Sequence, residues 1–324
     1  MRTLIAATAA LAGAAILSTA ATSADKTPKP MMKTQDIHIR DPFILPVRKE
    51  KKYYMYGTTA MVRPKGGFAT YVSSDLKEWE GPIDVFVPYE GFWGDRTFWA
   101  AEAHSYRGRT YLFATFGAEQ VLRATQILVS DSPRGPFKPL TDRPITPFGW
   151  QCLDGTLFVD DEETPWIVFC REWEQVGDGQ ICAMPLTKDL KYPAGDPVLL
   201  FRASEAPWIA KVPWKKEEEG RNYITDGPCL HRTKTGKLLM LWSSFDSKNY
   251  VQALAISESG KITGPWKQDP KLVYSKDGGH GMLFETFDGR LMLTLHTPNS
   301  GGKERAAFFP VVEKSDRIEI APEP

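Results

Sequence analysis

Four carboxylates and one imidazole recur along the chain: Asp41, Glu102, Asp154 and Asp226, joined by His280. Their surroundings are Arg40-Asp41-Pro42-Phe43, Ala101-Glu102-Ala103-His104, Leu153-Asp154-Gly155-Thr156, Thr225-Asp226-Gly227-Pro228 and Gly279-His280-Gly281-Met282. A single Asp beside Gly or Pro is ordinary turn chemistry, and that reading serves for Asp160, Asp161, Asp178 and Asp288. Four carboxylates at one place in a repeat are different, because gathered carboxylates are costly to bury unless paired, metal-bound or tuned for proton transfer. Such a set has the parts for general acid–base catalysis, in which one carboxylic acid protonates a leaving group and one carboxylate activates a water. A third carboxylate near the acid raises its pKa by like-charge repulsion.

For these residues to meet, the elements that carry them must converge. Strand-like runs dominate from residue 37 onward, among them Lys52–Tyr56, Thr110–Ala114, Trp166–Phe169, Leu238–Trp242 and Leu291–Leu295. Each follows a short strand carrying one of the five polar residues, after a turn such as Arg107-Gly108, Asp160-Asp161, Thr235-Gly236 or Asp288-Gly289. A third strand reads Ala69–Ser73, Thr125–Val129 or Gln252–Ile256, and Gly135-Pro136-Phe137 and Gly264-Pro265-Trp266 close two of the units. The opening residues 41, 102, 154, 226 and 280 are 52 to 72 apart. Units of about 40–50 residues with four strands are propeller blades, and the excess fits loop insertions. The expectation is an all-β, five-bladed β-propeller over residues 36–324 without a second domain. The first strand of each blade lines a central channel, so the opening residues converge at one end of it.

Composition narrows the partners. The 324 residues carry 40 basic and 40 acidic side chains, a balance that argues against nucleic-acid binding. The 10 Trp, 11 Tyr and 17 Phe supply core filling and flat platforms for ligands. Arg2, the apolar run Leu4–Leu17 and Thr22-Ser23-Ala24 form an export leader over residues 1–24, cleaved after Ala24, and residues 25–35 read as a linker. The leader run is too short to span a bilayer and no later stretch approaches that length, so a secreted or periplasmic monomer without membrane insertion is expected. Cys152, Cys170, Cys182 and Cys229 allow two disulfides, with Cys170 and Cys182 facing across a hairpin, or four buried thiols. Four thiols is the expectation.

Taken together, Arg40-Asp41-Pro42, Asp154 ahead of Phe158-Val159-Asp160-Asp161, Asp226-Gly227-Pro228 and Gly279-His280-Gly281 resemble glycoside hydrolase family 43 over the whole mature chain. The resemblance implies a five-bladed propeller and an inverting hydrolase of plant polysaccharides. By it Asp41 is the general base, Asp154 orients the acid and raises its pKa, and the blade-four carboxylate is the general acid. An exo-acting α-L-arabinofuranosidase is the first expectation, with β-xylosidase, exo-β-1,3-galactanase or a non-catalytic carbohydrate-binding propeller as alternatives. The family has Glu where Asp226 stands, and the shorter side chain withdraws the carboxyl by about one C–C bond. Displacement on the order of 1 Å can cost about 100-fold in rate. Three readings therefore stay open: Asp226 is the acid, Glu172 or Glu102 has taken over, or catalysis is lost. The resemblance also places His280 on a hydrated cation, usually Ca²⁺, in the channel, and Arg305 near the acid. Glu102, Glu172, Trp99, Trp150, Trp173 and Trp93 are the expected sugar contacts, and no organic cofactor is expected.

Overall fold

The apolar runs at the second position of each repeat are continuous rather than alternating, which calls for cover on both faces. The computed structural model shows that cover. It describes residues 31–60, 65–212, 214, 222–299, 301–314 and 316–322; the leader residues 1–24 lie outside this set. Among the described residues the strands form five antiparallel sheets, each running outward in chain order from an innermost strand.

Blade one consists of β2 (Arg40–Val47), β3 (Lys52–Thr58), β4 (Phe68–Ser73) and β5 (Glu78–Phe86). An extra outer strand, β1 (Met31–Lys33), pairs with β5, so part of the stretch read as a linker is sheet. Blade two is β6 (Arg96–Tyr106), β7 (Arg109–Ala118), β8 (Val121–Ser130) and β9 (Lys138–Pro139). Blade three is β10 (Cys152–Val159), β11 (Pro165–Arg171), β12 (Gln180–Pro185) and β13 (Val198–Arg202). Blade four is β14 (Asp226–Arg232), β15 (Leu238–Phe245), β16 (Tyr250–Ser257) and β17 (Trp266–Gln268). Blade five is β18 (Gly279–Glu285), β19 (Leu291–Thr297), β20 (Arg305–Glu313) and β21 (Ile318–Ile320). Strands β2, β6, β10, β14 and β18 pack side by side around the axis, giving the expected five-bladed β-propeller.

The core is divided into wedges between neighbouring blades. Along β7, Leu112, Ala114 and Phe116 pack against blade one, while Tyr111 and Phe113 pack against blade three. Along β15, Leu238, Met240 and Trp242 face blade three, and Leu239 and Leu241 face blade five. The ring closes at residues 37–39: Ile37 and Ile39 are buried between blades one and five, and His38 bridges to Arg305. Cys170 stands opposite Ile181, and Cys182 opposite Phe169, which puts the two thiols on opposite faces of blade three. All four cysteines are free.

One feature of the innermost strands corrects the sequence alignment. Each carries a β-bulge, with one more residue between two ladder pairs than its partner strand has. The bulge residues are Asp41 (φ 54°), Ala100 (φ 46°), Asp154 (φ 54°), Gly227 (φ 51°) and His280 (φ 49°), all left-handed. The equivalent positions in blades two and four are therefore Ala100 and Gly227, not Glu102 and Asp226. Asp226 is the ladder residue one step before its bulge, level with Arg40, Trp99, Leu153 and Gly279. Glu102 is one ladder step past its bulge, deeper in the channel.

Candidate active site

The bulges are held by bonds that run from blade to blade. The backbone N–H of Ala100 donates to Thr58 Oγ1 (2.8 Å), that of Asp154 to Thr115 Oγ1 (3.0 Å), that of His280 to Ser243 Oγ (2.7 Å) and that of Asp41 to His296 Nδ1 (3.1 Å). Each acceptor is the ladder partner, on the second strand of the preceding blade, of the residue just before that blade's bulge. The fifth such place is held by Cys170, a weak acceptor, and there the Gly227 N–H donates instead to the Asp154 carboxylate at 3.1 Å. A Cβ at residue 227 would meet the His280 ring at 2.6 Å, so glycine is what lets the imidazole lie against this backbone.

The left-handed bulges aim Asp41, Asp154 and His280 into one cavity of about 430 Å³, and the ladder residues before them add Arg40, Trp99, Leu153 and Asp226. The rim is completed by Thr58, Arg123, Glu172, Trp173, Glu174, Trp214, Ile224 and Tyr250. Of the residues expected from sequence, Asp41, Asp154, Asp226, Glu172, Trp99, Trp173 and His280 thus come together.

Four expected contacts do not. Glu102 is buried below the cavity with Oε2 at 3.4 Å from His104 Nε2. Arg305 lies at the edge of blade five, where its guanidinium donates to the carbonyls of Gln35 (2.8 Å) and Glu304 (2.8 Å). The cation beside the carboxylates is Arg40, whose guanidinium donates to Glu304 Oε1 (2.9 Å) and Asn299 Oδ1 (2.8 Å). Trp150 and Trp93 line a separate groove between blades two and three, because the chain turns away there before β6 and β10 begin.

Electrostatics separates the carboxylates. Burial alone would raise the pKa of Asp41, but His280, His296 and Arg40 and the Thr58 hydroxyl bond at 2.5 Å outweigh it and hold it at about 2. His280 Nδ1 lies 3.3 Å from Asp41 Oδ1 and 3.6 Å from Asp154 Oδ2. Burial lowers the His280 pKa, yet Asp41, Asp154, Asp226 and Glu102 together carry it above the usual imidazole value. Asp154 is pushed up to about 8, first by burial and then by Asp226 and Asp41, with His280 opposing. Asp226 is likewise raised by burial and by Asp41, against His280, the hydroxyl bond from Tyr250 at 3.0 Å, and Arg40. Glu172 reaches about 8 by burial, against the Arg123 guanidinium 3.2 Å from its Oε2. Asp41, held acidic, thus faces carboxyls whose pKa values are raised, a division of acid and base roles.

Several site residues have no counterpart in the sequence reading. Tyr250 and Arg123 enter from the third strands of blades four and two, and Glu174 from the short helix α1 (Trp173–Val176). Tyr250 stacks on His296 at 5.7 Å, so the residue bonded to Asp226 braces the residue that holds the Asp41 backbone. Arg40 stands within the Arg40-Asp41-Pro42 run and needed only a role. Arg123 and Tyr250 gave no signal, since neither lies in a repeat opening.

Comparison with known proteins accords with this architecture. The family model of glycosyl hydrolases family 43 matches residues 34–309. A crystal structure of an endo-arabinase from Bacteroides thetaiotaomicron VPI-5482 is 43% identical, with a TM-score of 0.82 over 89% of this chain and 99% of that one. An endo-1,4-beta-xylanase from the same organism is 24% identical, with a TM-score of 0.70 over 91% and 97% of the two chains. An exo-1,5-alpha-L-arabinanase from a bovine ruminal metagenomic library is 19% identical, with a TM-score of 0.66 over 90% and 99%; these last two share the fold. Comparison with curated protein sequences gives no significant match. By family model, identity and propeller architecture together, the chain belongs to glycosyl hydrolase family 43.

Proposed function

We propose that the protein hydrolyses α-L-arabinofuranosyl bonds of arabinan-type plant polysaccharide with inversion at the anomeric carbon. The observation that carries this reading is the meeting, in one cavity, of Asp41, held acidic, with carboxyls of raised pKa on the facing blades. Asp41 takes a proton from water as the water oxygen attacks the anomeric carbon. Asp226 gives its proton to the departing glycosidic oxygen, and Asp154, bonded to the Gly227 N–H, is a second buried carboxyl that resists ionising together with Asp226, which keeps a proton available there. Arg40 and the indoles of Trp99 and Trp214 bind sugar hydroxyls and ring faces. Arabinan is favoured over xylan or galactan by the 43% identity to a protein described as an endo-arabinase.

Two expectations from sequence, exo action and inversion, meet in one experiment. Linear arabinan is digested and followed by proton NMR and chromatography. The β-anomer of the new reducing end is expected to appear first. Early retained anomer would refute the role of Asp41 as base. Arabinose as the sole initial product marks exo action, and a ladder of oligosaccharides marks the endo mode of the 43%-identical relative.

For a resident calcium ion the atom that fits is His280 Nε2, which is buried and has no hydrogen-bond partner among the described residues. No group of three or more His, Cys, Asp or Glu side chains among those residues is placed to cage a metal. The residues therefore fit a hydrated ion held through one imidazole nitrogen, with water supplying the other ligands. Such an ion would supply positive charge beside the buried carboxylates. Chelation by EDTA is then expected to lower the melting temperature by several degrees and Ca²⁺ to restore it; an unchanged melting curve would rule the ion out.

A further inference from the structure

The groove that holds Trp93 and Trp150 is open on the same face of the propeller as the catalytic cavity and encloses about 610 Å³. Its walls are Val121 and Leu122 at the start of β8 and Phe148 and Trp150 in the loop before β10, with Gln120 and Arg143 on its edge. Phe148 is fully exposed, and Val121 and Leu122 are 49% and 43% exposed. A cluster of bare apolar side chains beside an active site calls for a ligand.

The aromatic faces are held in place by the protein itself. The Trp93 indole donates from Nε1 to Gln126 Oε1 at 3.1 Å and packs edge-on against Phe116 at 5.9 Å. The Trp150 ring has the Arg171 guanidinium 4.0 Å from its centroid. Fixed rings with hydrogen-bonding groups at the edge match a sugar, whose C–H face is apolar and whose rim carries hydroxyls.

The groove is a near neighbour of the catalytic cavity. Leu122 and Ala124 line the groove, while Arg123 between them lines the cavity, where its guanidinium lies over the Trp99 ring at 5.4 Å. Trp150 belongs to the groove and Leu153 to the cavity. Three residues of extended chain span about 10 Å, so the ridge between the two sites is narrow. The ridge is tied together by Gln151, whose Nε2 donates to Glu174 Oε2 at 2.8 Å. A glycan leaving the cavity over Arg123 and Trp99 arrives at Trp150 and Phe148.

We propose that this groove is a distal glycan-binding platform that holds a further stretch of the neutral pentose polysaccharide cut in the cavity. The proposal rests on the arabinan reading given above. It makes polymer the preferred substrate, because a short substrate cannot reach both sites at once.

The test uses a Leu122→Ser, Phe148→Ser double variant of the full chain. Both side chains are exposed, and thermal unfolding checks the fold. The ratio of kcat/KM on linear arabinan to kcat/KM on an aryl α-L-arabinofuranoside is expected to fall about tenfold or more, roughly the loss of one or two aromatic and apolar contacts. Affinity electrophoresis in gels containing arabinan gives a second readout that needs no cleavage: wild type is retarded and the variant is not. An unchanged ratio with unchanged retardation overturns the platform. A wild type that cleaves neither substrate refutes the arabinan reading, and the gels still decide the platform. A wild type that self-associates in light scattering while the variant does not, with equal gel mobilities, makes the groove a contact between copies and overturns the proposal.

Discussion

Asn in place of Asp41 is expected to lower kcat by about 10²–10⁴-fold on every substrate, whatever its leaving group, while leaving the melting temperature close to that of wild type. The uniformity follows from the base acting on water, a step common to all substrates. The structural tolerance follows from the backbone. Asp41 sits at φ 54°, a conformation that Asn adopts more readily than other residues with a side chain. The bond from its own N–H to His296 Nδ1 does not involve the carboxylate, and the Thr58 hydroxyl at 2.5 Å can donate equally to an amide oxygen. Burial pulls the pKa of His296 down to about 4, so Nδ1 remains an acceptor near neutrality and the brace persists in the variant. Asp41→Ala, by contrast, keeps the left-handed strain and loses the Thr58 bond, so its loss of activity would be mixed with loss of fold. Steady-state kinetics on linear arabinan and on an aryl arabinofuranoside, with thermal unfolding alongside, check this. A fall of less than about tenfold would mean that another group activates the water.

The blades were legible because a strand buried on both faces leaves a continuous apolar run, and five such runs recurred with turns between them. Leu238–Trp242 divides its side chains between two inter-blade wedges, which is why no alternation was visible there. The site was legible to within the register of a bulge. An extra residue in each innermost strand leaves no mark in composition, so aligning blades by their carboxylates put Glu102 level with Asp41 when Ala100 is. The same shift hid that Asp226 reaches the cavity from a ladder position while Gly227 takes the bulge. Trp150 stands outside the cavity for another reason: nearness in sequence to a blade opening does not say which side of a rim loop faces the substrate. Arg305, placed near the acid by the family resemblance, begins the third strand of blade five and turns to the carbonyls of Gln35 and Glu304. Arg123 and Tyr250 arrive from third strands, whose repeats are apolar in sequence and reveal only packing.

Asp226→Asn is expected to reduce cleavage of arabinan by about 10²–10⁴-fold while reducing cleavage of an aryl arabinofuranoside with an activated phenol far less. An acid is needed only where the leaving oxygen is too basic to depart alone, so the ratio between the two substrates isolates its role. The geometry bears on the choice between Asp226 and Glu172. Asp226 accepts the Tyr250 hydroxyl on Oδ2, which leaves Oδ1 for a proton, and it is bound into a charge-coupled group with Asp154 and Asp41. Glu172 has Oε2 at 3.2 Å from the Arg123 guanidinium, a partner that favours its ionised form and fixes it against the Trp99 side of the cavity. Glu172→Gln should therefore raise KM with little change in kcat, as loss of a contact made equally to substrate and transition state does. The pH dependence gives an independent check. The acid works only while protonated, so kcat/KM is lost on the alkaline side as pH rises through its raised pKa, and Asp226→Asn should abolish that limb on the aryl substrate. If instead Glu172→Gln removes an alkaline limb near 8 and shows the leaving-group dependence, Glu172 is the acid and Asp226 a positioning residue for Tyr250. The fold, the base and the hydrolase class would stand, and the shorter Asp226 side chain would be explained by a proton donor that reaches the leaving oxygen from blade three.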